Sequence, residues 1–347
     1  MRISSYTTIP LLALAAIVAH AGPASAVDET VEAFYRNRQV TLIVGSSAGG
    51  GYDAYSRLLA RHIGRHIPGN PSIVVQNMPG ASGVRSINYL ANIAPKDGSV
   101  FGIGTRSTLV EPLFGSDQVK ADARKLSWIG GLNTEWSVGV SWRTSGLTSI
   151  ADARAREFAV SSSGISSDGA VYAAILNNVL GTRFRIINGY PGTAEEQLAM
   201  QRGEVAGRVG WAWGSLRSTA RDHIEKGDLK PFVLLSPQAQ PGIDAPLARD
   251  FAASDEDRAV LDFAFAPQLI GRPFFGPPDV PADRLAVLRT AFAETTQDAA
   301  FLEEADRLQL EISYVSAHDL QELANRLYAT PARIIERTKQ ARQASGF

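Results

Sequence analysis

The segment Val40-Thr41-Leu42-Ile43-Val44 runs straight into Gly45-Ser46-Ser47-Ala48-Gly49-Gly50-Gly51-Tyr52-Asp53, and a helical pattern follows at once. A short apolar run bounded by glycine predicts a buried strand. That strand ends in a loop with almost no side chains, and the loop opens onto a helix N-terminus. Free backbone N–H groups in such a place can face an anion. Three consecutive glycines let the main chain approach a ligand that any Cβ would block. In the helix that follows, Ala54, Leu58, Leu59, Ile63 and Ile67 recur close to a 3.6-residue period, with Arg57, Arg61 and Arg65 facing away.

The same alternation continues along the chain. Residues 72–76 read as a strand, Asn77-Met78-Pro79-Gly80-Ala81-Ser82-Gly83 as a second glycine loop, and residues 84–94 as a helix. Residues 100–104 form a third strand that ends in the loop Thr105-Arg106-Ser107-Thr108. Strand and helix in turn, with short connections, predict an α/β domain with a doubly wound, mainly parallel sheet. Ligands bind such sheets beyond the carboxyl ends of the strands, where all three loops lie. A second unit starts near Ser137 and carries strands at 137–142, 158–161, 184–187 and 205–209. Its strand ends carry the serine-rich loop 161–169, Gly189-Tyr190-Pro191-Gly192-Thr193 and Gly210-Trp211-Ala212-Trp213. Long helices at 282–299 and 317–343 follow and are expected to pack back on the first unit. The expected division is residues 27–135 plus 266–347 in lobe 1 and 136–265 in lobe 2, with a ligand cleft between them.

Composition narrows the class. Met1 and Arg2, an apolar run at 9–19 and Ala24-Ser25-Ala26 predict a secretory signal peptide over residues 1–26, hence export to the periplasm. With 34 Lys and Arg against 35 Asp and Glu, the chain shows no electrostatic footprint for nucleic acid or an anionic membrane. The absence of cysteine removes disulfides, thiolate metal ligands, iron–sulfur clusters and thiol nucleophiles.

The glycine loop admits several chemistries. A phosphate-binding G-x-x-x-x-G-K-[ST] loop fails because no lysine lies near Gly51, and a G-x-G-x-x-G dinucleotide fingerprint is not supplied. Gly45-Ser46-Ser47-Ala48-Gly49 does match the nucleophile elbow G-x-S-x-G, so a secreted α/β serine hydrolase on Ser47, with His223 or His318 as base, is the alternative function. Against it, an elbow on the first strand leaves no preceding strand to complete an oxyanion hole. His62 and His66 sit one helical turn apart without the Glu of a zinc helix, and a solvated basic face is expected there instead of a metal site.

A resemblance adds to this reading. The run from Val40 to Ala60, Val74-Val75-Gln76-Asn77-Met78-Pro79-Gly80-Ala81-Ser82-Gly83, Ala94-Pro95-Lys96-Asp97-Gly98, and Gly189-Tyr190-Pro191-Gly192-Thr193 with Gly203-Glu204-Val205 occur in order. Together they resemble the substrate-binding receptors of tripartite tricarboxylate transporters, the Bug/TctC-like family. The resemblance implies a two-lobed periplasmic-binding-protein-like fold of type II, with no cofactor and no enzymatic activity. Its partners would be a small carboxylate and the integral-membrane permease subunits, with a sensor protein as a further partner, and the receptor itself a monomer. Carried over, it implies ligand contacts from Ser47, Ala48, Gly49, Gly50, Gly51, Tyr52 and Asp53, and from Gly80, Ala81 and Ser82. From the other lobe it implies Ser163, Gly164, Ser166, Ser167, Tyr190 and Thr193. Asp53 cannot accept from a carboxylate, so it is read as a helix cap or an acceptor for water or a ligand hydroxyl.

The chain departs from that pattern at three places. Gly45 and Ser46 lack the bulk expected there, leaving space that the tryptophans across the cleft would fill. Arg106 occupies a loop of small polar groups, and Trp211 and Trp213 stand near a position usually held by Asp. Arg106 is expected either to clasp a ligand carboxylate or to pair with an acid such as Glu111. Trp211 or Trp213 is expected either to stack on the ligand or to lie in the core.

Overall fold

A computed structural model describes residues 30–343 apart from 47, 50, 166 and 191, and apart from the side chains of 82, 107, 108 and 218. The expected leader at 1–26, together with Ser47, Gly50 and Ser166 of the expected site, lies outside the described residues. Among the described residues no helix is long and apolar enough to cross a membrane.

The chain opens with α1 (Val31–Tyr35), β1 (Gln39–Val44), α2 (Gly51–Ile63), β2 (Ser72–Asn77), α3 (Val84–Asn92), β3 (Val100–Ile103), α4 (Arg106–Val110) and β4 (Ser127–Gly131). It then crosses to a second body formed by β5 (Ser137–Trp142), α5 (Ile150–Ala155), β6 (Phe158–Ser162), α6 (Asp168–Leu180), β7 (Phe184–Asn188), α7 (Thr193–Gln201), β8 (Gly207–Ala212), α8 (Trp213–Thr219), α9 (Arg221–Glu225), β9 (Leu229–Leu235) and α10 (Asp255–Phe265). It returns through β10 (Pro273–Gly276) to α11 (Ala282–Thr295), α12 (Ala299–Arg307), β11 (Val315–Ser316), α13 (Ala317–Tyr328) and α14 (Ala332–Ala341).

Two sheets result, ordered β11-β4-β10-β3-β1-β2 and β7-β6-β8-β5-β9. In the first, β1 is parallel to β2 and β3, whereas β10 is antiparallel to β3 and β4, and β11 to β4. In the second, β6 is parallel to β7 and β8, while β5 is antiparallel to β8 and β9. The sheets are therefore mixed, not mainly parallel as expected. The crossings explain it: β4 leaves the first lobe, β10 comes back into it, and the returning strand inserts between β3 and β4 against their direction.

β1 shows how the local pattern builds the core. Leu42 and Val44 face one cluster with Leu58, Leu59, Phe274 and Phe292, while Ile43 faces another with Ile87, Leu90 and Trp128. Both faces of the strand are covered, which is why its apolar run is continuous.

The C-terminal helices differ from expectation in length, and the last of them also in place, while α11, α12 and α13 pack on the first lobe as expected. The run at 317–343 breaks at Thr330-Pro331, since proline has no N–H and disfavours helical backbone before it. The run at 282–299 breaks at Asp298, whose carboxylate caps Ala300 and Phe301. α14 packs chiefly on α10 and α6 of the second lobe, turning Ile334, Thr338 and Ala341 inward, and also touches residues 111–114 of the first. Asn178 Nδ2 donates to the Ala341 carbonyl at 3.0 Å, and Arg337 pairs with Asp257.

The two crossings run side by side. Leu132 N donates to Arg272 O at 3.2 Å, Arg272 N to Asn133 O at 3.4 Å, and Glu135 N to Gln268 O at 3.1 Å.

Candidate ligand cleft

The first two glycine loops are stitched together beneath their exposed backbone. Asp53, in the first turn of α2, accepts from Gly49 N at 2.8 Å, from Arg57 Nε at 2.9 Å and from Asn77 Nδ2 at 2.8 Å. Asn77 Nδ2 also reaches the Ser46 carbonyl at 3.0 Å, and Arg57 donates to Asn77 Oδ1 at 2.9 Å. Burial would raise the Asp53 pKa, but the Arg57 guanidinium, the Gly49 N–H and Asn77 outweigh it and hold the carboxyl below its ordinary range. Asp53 thus caps the loop, its carboxylate taken up by Gly49, Arg57 and Asn77.

Above this knot Ala48, Gly49, Gly51, Gly80 and Ala81 are exposed. Gly80 has φ 142° and Ala81 φ 45°, so the second loop turns through backbone conformations that favour glycine. The bulk missing at Gly45 leaves no space for the tryptophans. A Cβ there would stand 2.4 Å from Ser86 Oγ and 3.5 Å from Gly83 Cα, so α3 packs directly against the strand end. Ser46 Oγ, by contrast, is buried with no hydrogen-bond partner among the described residues.

A chain of charges runs from the first lobe through the crossing to the second. The loop expected at Arg106 is the start of α4, which aims its guanidinium into the cleft. Arg106 Nη1 lies 2.5 Å from Glu135 Oε2, and Nη2 lies 3.4 Å from Asp168 Oδ2 at the start of α6. The other Glu135 oxygen takes Arg272 Nη2 at 3.1 Å. Arg272 in turn lies over the rings of Tyr52 and Tyr55, 4.5 and 5.2 Å from their centroids. Tyr52 Oη accepts from Arg106 N at 3.5 Å. Burial alone would lower the Arg106 pKa, yet Glu135, Tyr172 and Asp168 keep it above its ordinary value and charged. Its partners are therefore Glu135 and Asp168, while Glu111 pairs with Arg342 at 3.4 Å.

The second lobe presents a self-bonded loop. Ser162 Oγ and Ser167 Oγ lie 2.6 Å apart, and both donate to the Gly164 carbonyl, leaving Ser163 exposed. Tyr190 is half-buried, and its N–H donates to Ser162 O at 3.3 Å. Thr193 Oγ1 accepts from Arg208 Nη1 at 3.2 Å, and Arg208 also pairs with the buried Glu196. Trp211 is 1% exposed, and Trp213 8%. Strand β8 runs on to Ala212, past the expected end at 209, and its irregular pairing with β5 around Gly210, whose φ is 78°, turns Trp211 into a core cluster of the second lobe that Val209 does not share. Trp213 borders a cavity of about 480 Å³ that also touches Gly51, Glu135 and Arg272.

The remaining readings fall on partners elsewhere. His62 Nε2 lies 2.6 Å from Glu304, and His66 Nε2 lies 3.0 Å from Asp298, so this helix face packs on α12 instead of facing solvent. Among the described residues no group of His, Asp and Glu could hold a metal ion. His223 Nδ1 lies 3.0 Å from Asp228 and its Nε2 lies 3.1 Å from Gln201 Nε2, while His318 is exposed on α13. Sequence reasoning missed Glu135, Arg272 and Arg208. The first two flank the crossings, and only their nearness to the lobe boundaries could have drawn attention to them.

No protein-family model matches the sequence, and no curated protein does. Solved structures do match. A TctC solute-binding protein from Polaromonas is 20% identical with a TM-score of 0.68, covering 87% of this chain and 99% of its own. The Rhodopseudomonas palustris protein Rpa4515, solved with adipate, is 20% identical with a TM-score of 0.57, covering 87% and 97%. MatC from Rhodopseudomonas palustris, solved with malate, is 17% identical with a TM-score of 0.55, covering 88% and 99%. At such identities the likeness is one of fold, and this chain has the two-lobed fold of the TctC solute-binding proteins.

Proposed function

We propose that the protein is a periplasmic receptor that closes its lobes on a small organic acid and presents it to an integral-membrane permease. One observation carries the reading. Two exposed glycine loops, tied from below by Asp53 and Asn77, stand beside Arg106 at the mouth of a cleft that the second lobe closes with α6. Backbone N–H groups and a guanidinium at one edge favour an anion. The malate and adipate held by proteins of the same fold support a carboxylate, and the leader expected at 1–26 supports the compartment.

Calorimetric titration with a panel of small mono-, di- and tricarboxylates tests the reading, with native mass spectrometry of gently purified protein to find a co-purified acid. An acid should bind and raise the melting temperature. Arg106→Gln should weaken it about tenfold or more, the loss of a charged hydrogen bond. Recovery of a cation or nucleotide, or an affinity indifferent to Arg106→Gln, would overturn the assignment.

A further inference from the structure

Arg106 does not only face the glycine loops. It also lies at one end of a cavity of about 580 Å³ between the lobes. Helix α6 forms one wall and gives its length. Asp168, the partner of Arg106, is the first residue of α6, and Ile175, the last residue of that helix to line the cavity, is seven residues on. At 1.5 Å per residue this wall runs about 10 Å along the helix. Val84, Val110, Val171, Ile175 and Phe263 line the middle. At the α14 end stands a second guanidinium, Arg342, stacked over Phe114 at 4.2 Å.

The two ends share one feature, although Arg106 is also held by Glu135 at 2.5 Å. Each arginine faces a carboxylate at 3.4 Å: Arg106 faces Asp168, which is 53% exposed, and Arg342 faces Glu111, which is 36% exposed. Pairs this long and this open to water are weak. A ligand carboxylate that makes two parallel N–H···O bonds would replace either partner. Tyr172 lies on α6 between the two ends, and its phenol is within the field of both guanidiniums.

Resting on the receptor reading above, we infer that the ligand is an elongated organic acid with two anionic ends: one on the Arg106 side of the cleft, the other in a subsite made by Arg342 and Phe114, with its hydrocarbon span on the apolar wall of α6. The last helix of the chain, packed on the second lobe, is then part of the binding site. A cleft that took only the smallest acids would have no use for a second cation at the far end of an apolar wall.

Calorimetry on the purified protein with succinate, adipate, suberate and sebacate, against hexanoate, octanoate and decanoate, tests this. Diacid affinity should rise with chain length, and the longer diacids should bind about tenfold tighter than monoacids of equal length. Arg342→Gln should abolish that advantage. Glu111→Gln, which removes the competing carboxylate, should increase it; opposite signs at two neighbouring positions exclude a general loss of folding. Binding of short acids, with no gain from length and no response to Arg342→Gln, leaves the receptor assignment standing and overturns the subsite. Failure of every acid to bind overturns both.

Discussion

Arg106 and Asp168 meet across the cleft at 3.4 Å, one from each lobe, with Glu135 of the crossing segment holding the other side of the guanidinium at 2.5 Å. The Glu135 contact is mostly buried and fixes the arginine, whereas Asp168 is half-exposed and exchangeable. On the proposed function, this pair competes with an incoming anion for the same guanidinium donors. Asp168→Asn should therefore tighten acid binding two- to fivefold, the range of a partly exposed ion pair, with a smaller gain at high salt. Calorimetry at two ionic strengths checks it, and weaker binding would show that Asp168 holds the ligand.

Asp53 ties the two glycine loops together through Gly49, Arg57 and Asn77. Asp53→Ala leaves Asn77, Arg57 and the Gly49 N–H without their acceptor and should cost about 2–3 kcal/mol of stability, with a parallel loss of acid affinity. Its folded-state pKa is depressed. The stabilisation is therefore full above about pH 4, the unfolded range of Asp, and is lost as pH falls through the lower folded value. Urea unfolding should show Asp53→Asn well below wild type at pH 5 and closer to it at pH 3. An equal gap at both values would mean that the carboxylate charge is not what ties the loops.

The fold was legible because its signals are local. Glycine loops follow apolar strands at Val44 and Asn77, and strand–helix alternation marks each lobe. What escaped depends on pairing between distant segments. Nothing near Pro273 says that β10 inserts antiparallel between β3 and β4, since direction is set by which lobe the chain returns from. Trp211 is ambiguous in the sequence because the irregular pairing at Gly210 sets which face of the sheet it takes. Glu135 and Arg272 are 137 positions apart in sequence and become partners only when the two crossings lie side by side.

Glu196 and Arg208 form the buried pair of the second lobe. Burial raises the Glu196 pKa and lowers that of Arg208, and in each the partner's charge only partly compensates. Glu196 Oε1, Arg208 Nε and Trp211 Nε1 have no hydrogen-bond partner among the described residues. Arg208→Leu strands a carboxylate that is 1% exposed and should cost about 3–5 kcal/mol, whereas the double variant with Glu196→Leu should recover most of it. The single variant's deficit should grow as pH rises from 4 to 7, because a raised acid pKa penalises the charged form. A urea-melt double-mutant cycle measures this, and additive losses would mean that the two residues act separately.

Gly271 sets the geometry of the crossing. Its backbone has φ 55° and ψ −113°, and a Cβ there would stand 1.6 Å from the Asn133 carbonyl oxygen. Backbone on backbone cannot yield as a flexible side chain can, so Gly271→Ala must separate the two segments. That displaces the Arg272–Asn133 hydrogen bond and the neighbouring Glu135 that positions both cleft arginines. The expected cost is about 3 kcal/mol or more, with a fall of several degrees in melting temperature. Gly164→Ala is the control, since nothing lies within 4 Å of its Cβ position, and it should be near neutral. Small-angle scattering with and without acid then separates stability from motion. If the crossing is the hinge, Gly271→Ala should alter the compaction on binding as well as the melting point, and an unchanged compaction would place the hinge elsewhere.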